Sequence, residues 1–235
     1  MNRNESIFGF WNPTEKTVKR FQVLQDVLAK DHARLELVIC RLQNESIQSW
    51  CAFDVSKLLN DLQLPRGGLG IAFFRPSPLF LPKYGVMPIY SIGHIAVACL
   101  GVIDNLPEIR EKLISDGIQF DTKDNVAETL SLLLHHYLES HHLSPTDAIQ
   151  KMMRKLKGQF ALMALTRKGK WLMVGCRDYP LAVGRMRNDS TVYFCTDSKT
   201  LFQFTPAMSE VGGNPKPDIF CGTIPQSDDI LLLDV

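Results

Sequence analysis

The chain has 235 residues, 45% of them hydrophobic and 22% charged, enough to bury a sizeable core in one large domain or two small ones. Its formal net charge is +1, with Lys and Arg spread along the chain, so neither nucleic acid nor a membrane is expected as a partner. No apolar run reaches the roughly 18 residues of a membrane span, no secretory signal is legible at the N-terminus, and the six cysteines form no Cys-x-x-Cys pair. These features predict a soluble cytoplasmic chain with reduced, buried thiols.

In chain order, "SIFGFW" (residues 6–11) is a short apolar strand. Pro13 and Thr14 open a predicted helix through about Ala29, with Val18, Phe21, Leu24 and Leu28 at helical spacing. "RLELVICRL" and "SIQSWCAF" read as two paired strands. "GLGIAFF" (residues 68–74) is another, ended by Pro76 and Pro78. "HIAVAC" (residues 94–99) is nearly all apolar, as a strand buried on both faces must be.

Helices follow. Pro107 starts one that carries Ile109, Leu113 and Ile114 and ends at Gly117. Val126, Leu130, Leu133, Leu134, Tyr137 and Leu138 mark the next. Ser144 caps a third, with Pro145 in its first turn and Asp147 three residues after the cap; it carries Ile149, Met152, Met153 and Leu156, and is predicted to stop at Gly158.

From Gln159 the chain returns to strands. "QFALMAL" and "KWLMVGC" flank the turn "TRKG", and "LAVGRMR" and "TVYFC" flank "NDS", both as hairpins. "DDILLLDV" is a last strand, and residues 205–217, rich in Gly and Pro, read as a surface loop. Strands, then helices, then strands predict an α+β fold, with residues 1–235 as a single domain.

Six blocks carry a family resemblance. They are "GLGIAFFR", "CLGVIDNLPEIREKL", "GIQFDTKDNVAETL", "KLKGQFALMAL", "CRDYPLAVG" and "YFCTDSKTL". The first three parallel the motifs Gly-Ile-Ala-His-Thr-Arg, His-Asn-Gly-Ile-Ile-x-Asn and Gly-x-x-Phe-x-x-x-Thr-Asp-Thr-Glu. Together, in this order, the blocks resemble the glutaminase domain of glucosamine-6-phosphate synthase, a class II (N-terminal nucleophile) glutamine amidotransferase. The resemblance implies an Ntn-hydrolase-like four-layer αββα sandwich, two antiparallel sheets between helical layers.

It also implies a chemistry. In that family an N-terminal Cys attacks the glutamine amide while its own α-amine moves the proton. Backbone and Asn donors hold the oxyanion, an Arg clamps the substrate carboxylate, and an Asp pairs with the substrate ammonium. In "ESIFGF" the Cys position falls on Glu5 and the following Gly on Ser6. A carboxylate is a poor nucleophile, and with four residues before it the Glu5 nitrogen is an amide rather than a base. Leu100 stands where the oxyanion Asn would be, although Gly101 remains, and Cys99 takes the His position. Loss of one such donor costs about 10²–10³ in rate.

The clamp is better represented. Arg75 matches the family Arg and Asp124 the family Asp, although Asp124 also suits a helix N-cap. The family's Trp-Ala-Thr-His-Gly loop has no counterpart in "FFRPSPLFLPKYG". Arg177 and Asp178 in "CRDYP" match a strand and turn that shape the domain. His135 and His142 in "HHYLESHH" lie seven apart, without the spacing of a His-Glu-x-x-His metal helix, and read as a solvated helix face.

The resulting expectation is a degenerate glutaminase. Glu5, Ser6 and Leu100 hold lost catalytic positions, Arg75, Gly101 and Asp124 hold retained substrate-binding ones, and no metal or cofactor is called for. The sugar-phosphate isomerase half, which would follow Val235, is expected to be absent. The expected partner is an aminotransferase- or isomerase-type protein, or an amino acid held by Arg75 and Asp124. A third reading is an active amidohydrolase in which processing exposes Ser6. Glu5, or the segment Met1 to Asn4 before it, is expected to fill the substrate pocket, with a carboxylate–guanidinium contact to Arg75 if Glu5 points inward.

Overall fold

Among the described residues twelve strands pair into two sheets, and β1 (Ser6–Trp11) lies inside the larger one. The computed structural model describes residues 6–11, 35–43, 46–52, 69–76, 89–166, 171–185, 192–196, 222–223 and 230–234. The predicted helix from Pro13 to Ala29, the loop at 205–217 and Glu5 lie outside the described residues.

The larger sheet adds β2 (Leu35–Gln43), β3 (Ser46–Ala52), β4 (Leu69–Pro76), β9 (Ala182–Arg185), β10 (Val192–Cys195) and β11 (Gly222–Thr223), in the order β11-β9-β10-β1-β4-β2-β3. The smaller sheet holds β5 (Ile89–Ile92), β6 (Ile95–Ile103), β7 (Gly158–Thr166), β8 (Trp171–Arg177) and β12 (Ile230–Asp234), in the order β12-β8-β7-β6-β5. Every neighbouring pair is antiparallel. Both predicted hairpins are present: Thr166 pairs with Trp171, and Arg185 with Val192.

The period of two along each strand sorts side chains between two cores. Ala96 and Ala98 of β6 and Ala161, Met163 and Leu165 of β7 face Ile7, Ile71, Phe73 and Phe194 of the other sheet. Ile95, Val97 and Cys99 of β6, with Phe160, Leu162 and Ala164 of β7, face the helices instead. The run "IAVAC" is therefore buried on both sides, as its composition predicts. Small residues on β6 let the sheets approach closely. A Cβ on Gly9 of β1 would lie 2.7 Å from the Met163 sulfur.

Three helices cover the outer face of the smaller sheet. The first, α1 (Leu106–Ser115), has Pro107 in its first turn and buries Ile109 and Leu113. Ile114, expected in the core, is 54% exposed. Its end is a Schellman arrangement: the Gly117 N–H donates to Ile114 O at 2.9 Å and the Ile118 N–H to Leu113 O at 3.0 Å. The second, α2 (Val126–His135), buries every residue from Ala127 to Leu134 and runs on into a π-helical turn, His136–Ser140. The third, α3 (Pro145–Lys155), is capped by the Ser144 hydroxyl, which accepts from Asp147 N at 3.1 Å. It ends at Lys155, with Leu156 already extended, rather than at Gly158. Gly158 instead opens β7, at φ +120°. Among the described residues no helix is long and apolar enough to cross a membrane.

Two side chains lock α3 to the sheet. The Arg177 guanidinium donates to Leu156 O and, at 2.8 Å, to Met153 O, satisfying carbonyls that the helix end leaves open. The Asn105 amide donates to Lys155 O and its oxygen accepts from Lys157 N, each at 2.9 Å. The structural role expected of Arg177 is the one the fold gives it. Arg177→Met keeps the apolar stem and removes the charged hydrogen bonds, each worth about 1.5–3 kcal/mol. The expected result is a lower urea midpoint with unchanged slope; an unchanged midpoint would show the cap to be idle.

Candidate functional site

The positions singled out in the sequence fall on three parts of the fold. Ser6 begins β1 and pairs in register with Phe74, the residue before Arg75 on β4. Arg75 itself pairs with Glu36 of β2. The backbone of β1 is fixed from the other side as well, because Ile7 N donates to the Thr196 hydroxyl at 3.1 Å and Thr196 N donates to Ile7 O at 3.2 Å. The start of β1 and the end of β4 are thus neighbours in one sheet. Glu5, and with it the expected contact to Arg75, lies outside the described residues.

Leu100 sits late in β6, paired with Ala161, and its side chain packs against the inter-sheet cluster that contains Ile7 and Phe73. The position expected to carry an oxyanion donor therefore holds an apolar side chain in the same core as β1. Cys99 points the opposite way, into the helical core. Burial pushes its thiol up to about 12, leaving almost no thiolate at neutral pH, so it is a core residue.

Gly101 has φ +116°, and a Cβ there would lie 2.2 Å from Gln159 O and 2.7 Å from Phe160 Cα. Only glycine fits this turn of the strand. The retained Gly101 is thus fully accounted for by backbone geometry, whatever its part in binding.

Asp124 lies on a third element, the loop between Phe120 and α2, and is exposed. It is not the helix cap that its position suggests. Asn125 caps α2, its side chain accepting from Glu128 N at 3.2 Å. The described contacts do not connect Asp124 with β1 or β4.

Sequence reading missed Glu128, which holds this loop. Glu128 is fully buried. Its carboxylate accepts from the Thr122 hydroxyl, from Thr122 N at 3.1 Å and from Asp121 N at 2.5 Å. Arg110 stacks on the Phe120 ring at 3.8 Å and donates to Thr122 O. The Tyr90 hydroxyl donates to Asp121 at 2.5 Å. Burial and the neighbouring carboxylates of Asp121 and Glu128 push the Tyr90 phenol up, so it remains a donor. The signal was the pattern Asn125-x-x-Glu128, a capping pair ahead of an apolar run. Asn105 was equally legible as the closing Asn of the block "CLGVIDN".

The histidine stretch is not one solvated face. His135 ends α2 beside His94, with ring centroids 5.7 Å apart, whereas His136 and His141 bracket the π-helical turn. Among the described residues no group of three His, Cys, Asp or Glu is arranged to hold a metal ion.

Two measurements check this arrangement. Gly101→Ala forces a Cβ into backbone and should destabilise by about 1–3 kcal/mol, read as a lower melting temperature; a neutral result would contradict the backbone geometry at Gly101. Cys99, Cys176 and Cys195, all buried, should resist iodoacetamide in native buffer and react once denatured. Rapid native alkylation of Cys99 would contradict its burial.

Comparison with known proteins agrees with the resemblance. A family described as the glutamine amidotransferase domain matches residues 78–203. Glutamine–fructose-6-phosphate aminotransferase (isomerizing) from Bradyrhizobium diazoefficiens is 30% identical over 146 residues, 62% of this chain and 23% of that protein. The protein of the same name from Zymomonas mobilis is 29% identical over 157 residues, 66% of this chain and 25% of that one. The chain spans about a quarter of the length of these relatives. Among solved structures, glutamine phosphoribosylpyrophosphate amidotransferase from B. subtilis, complexed with ADP and GMP, superposes with a TM-score of 0.62 at 17% identity. That match covers 97% of this chain and 47% of that one. An allosteric regulatory enzyme of purine biosynthesis gives 0.63, also at 17% identity, over 85% of this chain and 43% of that one. The fold is α+β and Ntn-hydrolase-like, and the chain belongs to the glutamine amidotransferase domain family.

Proposed function

We propose that residues 1–235 form one type-2-like glutamine amidotransferase domain that has lost glutamine hydrolysis and acts by regulating or binding a partner. The observation that carries this reading is Leu100. Its side chain, partly buried, packs against the inter-sheet cluster that contains Ile7 and Phe73, at the position where the resemblance calls for a hydrogen-bond donor. Glu5 and Ser6 at the nucleophile end of β1 support it from the sequence. A carboxylate neither attacks an amide readily nor supplies the free amine that would move the proton. The partner proposed is an aminotransferase- or isomerase-type protein in the cytoplasm. The full-length relatives carry the aminotransferase and isomerizing name, and this chain spans about a quarter of them.

A second reading is non-hydrolytic binding of glutamine or glutamate through Arg75 and Asp124. It is favoured by the loop at 121–124, which Glu128, Arg110 and Tyr90 hold in place while Asp124 stays exposed. A loop already ordered loses little entropy when it binds.

Ammonia release from glutamine tests the main proposal. No turnover is expected, and Leu100→Asn alone should not restore it, because the nucleophile is still missing. Release near the ~10 s⁻¹ typical of enzymes, abolished by Arg75→Ala, would overturn the proposal. An N-terminal sequence starting Ser-Ile-Phe-Gly in that active sample would identify Ser6 as the nucleophile. Thermal shift separates the two readings. A bound amino acid at 100 times its dissociation constant adds about 2.7 kcal/mol, and Asp124→Ala should remove that shift.

A further inference from the structure

The π-helical turn carries groups that the proposed function does not use. It runs from His136 to Ser140 and is closed by His141 N donating to His136 O at 3.2 Å and Leu143 N to Tyr137 O at 3.1 Å. The rings of His136 and His141 meet edge to face, centroids 4.8 Å apart. The His136 side chain is 16% exposed, with Nε2 3.8 Å from Asp116 at the end of α1. We propose that the His136–His141 pair is a proton-operated latch: neutral, it closes the π-helical turn against α1 and α3, and protonated, it loosens it.

The surroundings decide the direction. From α1 and its end come Asp116 and Lys112, already paired with each other at 2.7 Å. From the turn before β6 comes His94, 3.2 Å from Glu139 and beside His135. From α3 come Lys151, whose ammonium lies 4.6 Å from the Tyr137 ring centroid, and Lys155. On the segment itself stand His135, His136, Tyr137, Glu139, His141 and His142. Asp116 is the carboxylate nearest His136, and Lys112 shares it. A proton on His136 then faces the His141 ring, with Lys151 and Lys155 adding like charge.

Burial, then His141, hold His136 below its usual range, and Asp116 opposes them only in part. The sign follows. The folded turn takes up its proton at lower pH than the opened segment. Its stability is therefore full above about 6.5, the ordinary histidine value, and is lost as pH falls through the depressed folded value. His142, at φ +52°, gives the chain after the turn a residue already in a costly conformation. An opened turn relieves that strain as well as the charge.

Hydrogen exchange reads the latch directly. Protection of the His141 and Leu143 amides, corrected for intrinsic exchange, should fall at least ~2-fold between pH 7.5 and 5.5, while amides of β7 stay protected. His141→Phe keeps an aromatic edge without a charge and should reduce this dependence, the burial of His136 sustaining the rest. His141→Gln, which keeps polarity instead, should reduce it too should the Phe variant fail to fold. An NMR titration of His136 in the intact chain should give a midpoint below 6.5. Protection independent of pH, an equal fall in both His141 variants, or a His136 midpoint at or above 6.5 would overturn the latch.

Discussion

Everything in this molecule hangs on two antiparallel sheets meeting face to face around β1. That strand is flanked in its own sheet by β4 and β10, and Ile7, Phe8 and Phe10 are all buried. Its Gly9 is pressed against Met163 of the opposite sheet. Close approach requires small residues on the facing strands, and Ala96, Ala98 and Ala161 provide them. The hydrophobic effect supplies the drive, at roughly 25 cal/mol for each Å² removed from water, but the glycine and alanines set the spacing. The residues at the ends of β1, β4 and β6 are positioned only because this interface is rigid.

The sequence was most legible where one physical demand acts alone. An apolar run such as Ile95–Cys99 has one solution, a strand covered on both faces. Ser144 and Pro145 start a helix by hydrogen bonding and by a fixed φ, and they do so here. It was least legible where tertiary contacts reassign a residue. Glu128 was not singled out in the sequence, yet it is fully buried, with three donors from the preceding loop satisfying its carboxylate. Ile114 follows the buried Leu113 but lies about 100° further round α1, away from the core face, and is exposed. Gly158 looks like a helix stop, although its positive φ serves the start of β7 opposite Ile103. The π-helical turn has no periodic signature in five residues. Around the candidate site the strands that carry Ser6, Arg75 and Leu100 were legible as strands, while the groups that hold the loop beside Asp124 were not.

Fold and chemistry make different demands on the same strand. In β6 the backbone requires glycine at 101, where a Cβ would enter the main chain of β7. At residue 100 it requires only a side chain that fits the inter-sheet core. Leu100 is partly buried, so an amide there would lose part of the apolar packing against the inter-sheet cluster. Leucine meets the packing demand without that loss. On the proposed reading this is how a glutaminase fold loses hydrolysis while keeping its architecture: the position that matters to the reaction is one the core fills more easily with an apolar residue.

The loop before α2 shows the opposite balance. Burying the Glu128 carboxylate removes it from water, and the structure offsets this with donors from Asp121 and Thr122 instead of replacing the acid with an apolar side chain. A leucine at 128 would fill the space, but it would leave the Thr122 hydroxyl and the backbone N–H groups of residues 121 and 122 without these acceptors. The carboxylate therefore acts as a template for the loop rather than as a contributor to the core. What the template presents outward is Lys123 and Asp124, both exposed. On the proposed reading, a loop so held suits recognition of a partner or an amino acid.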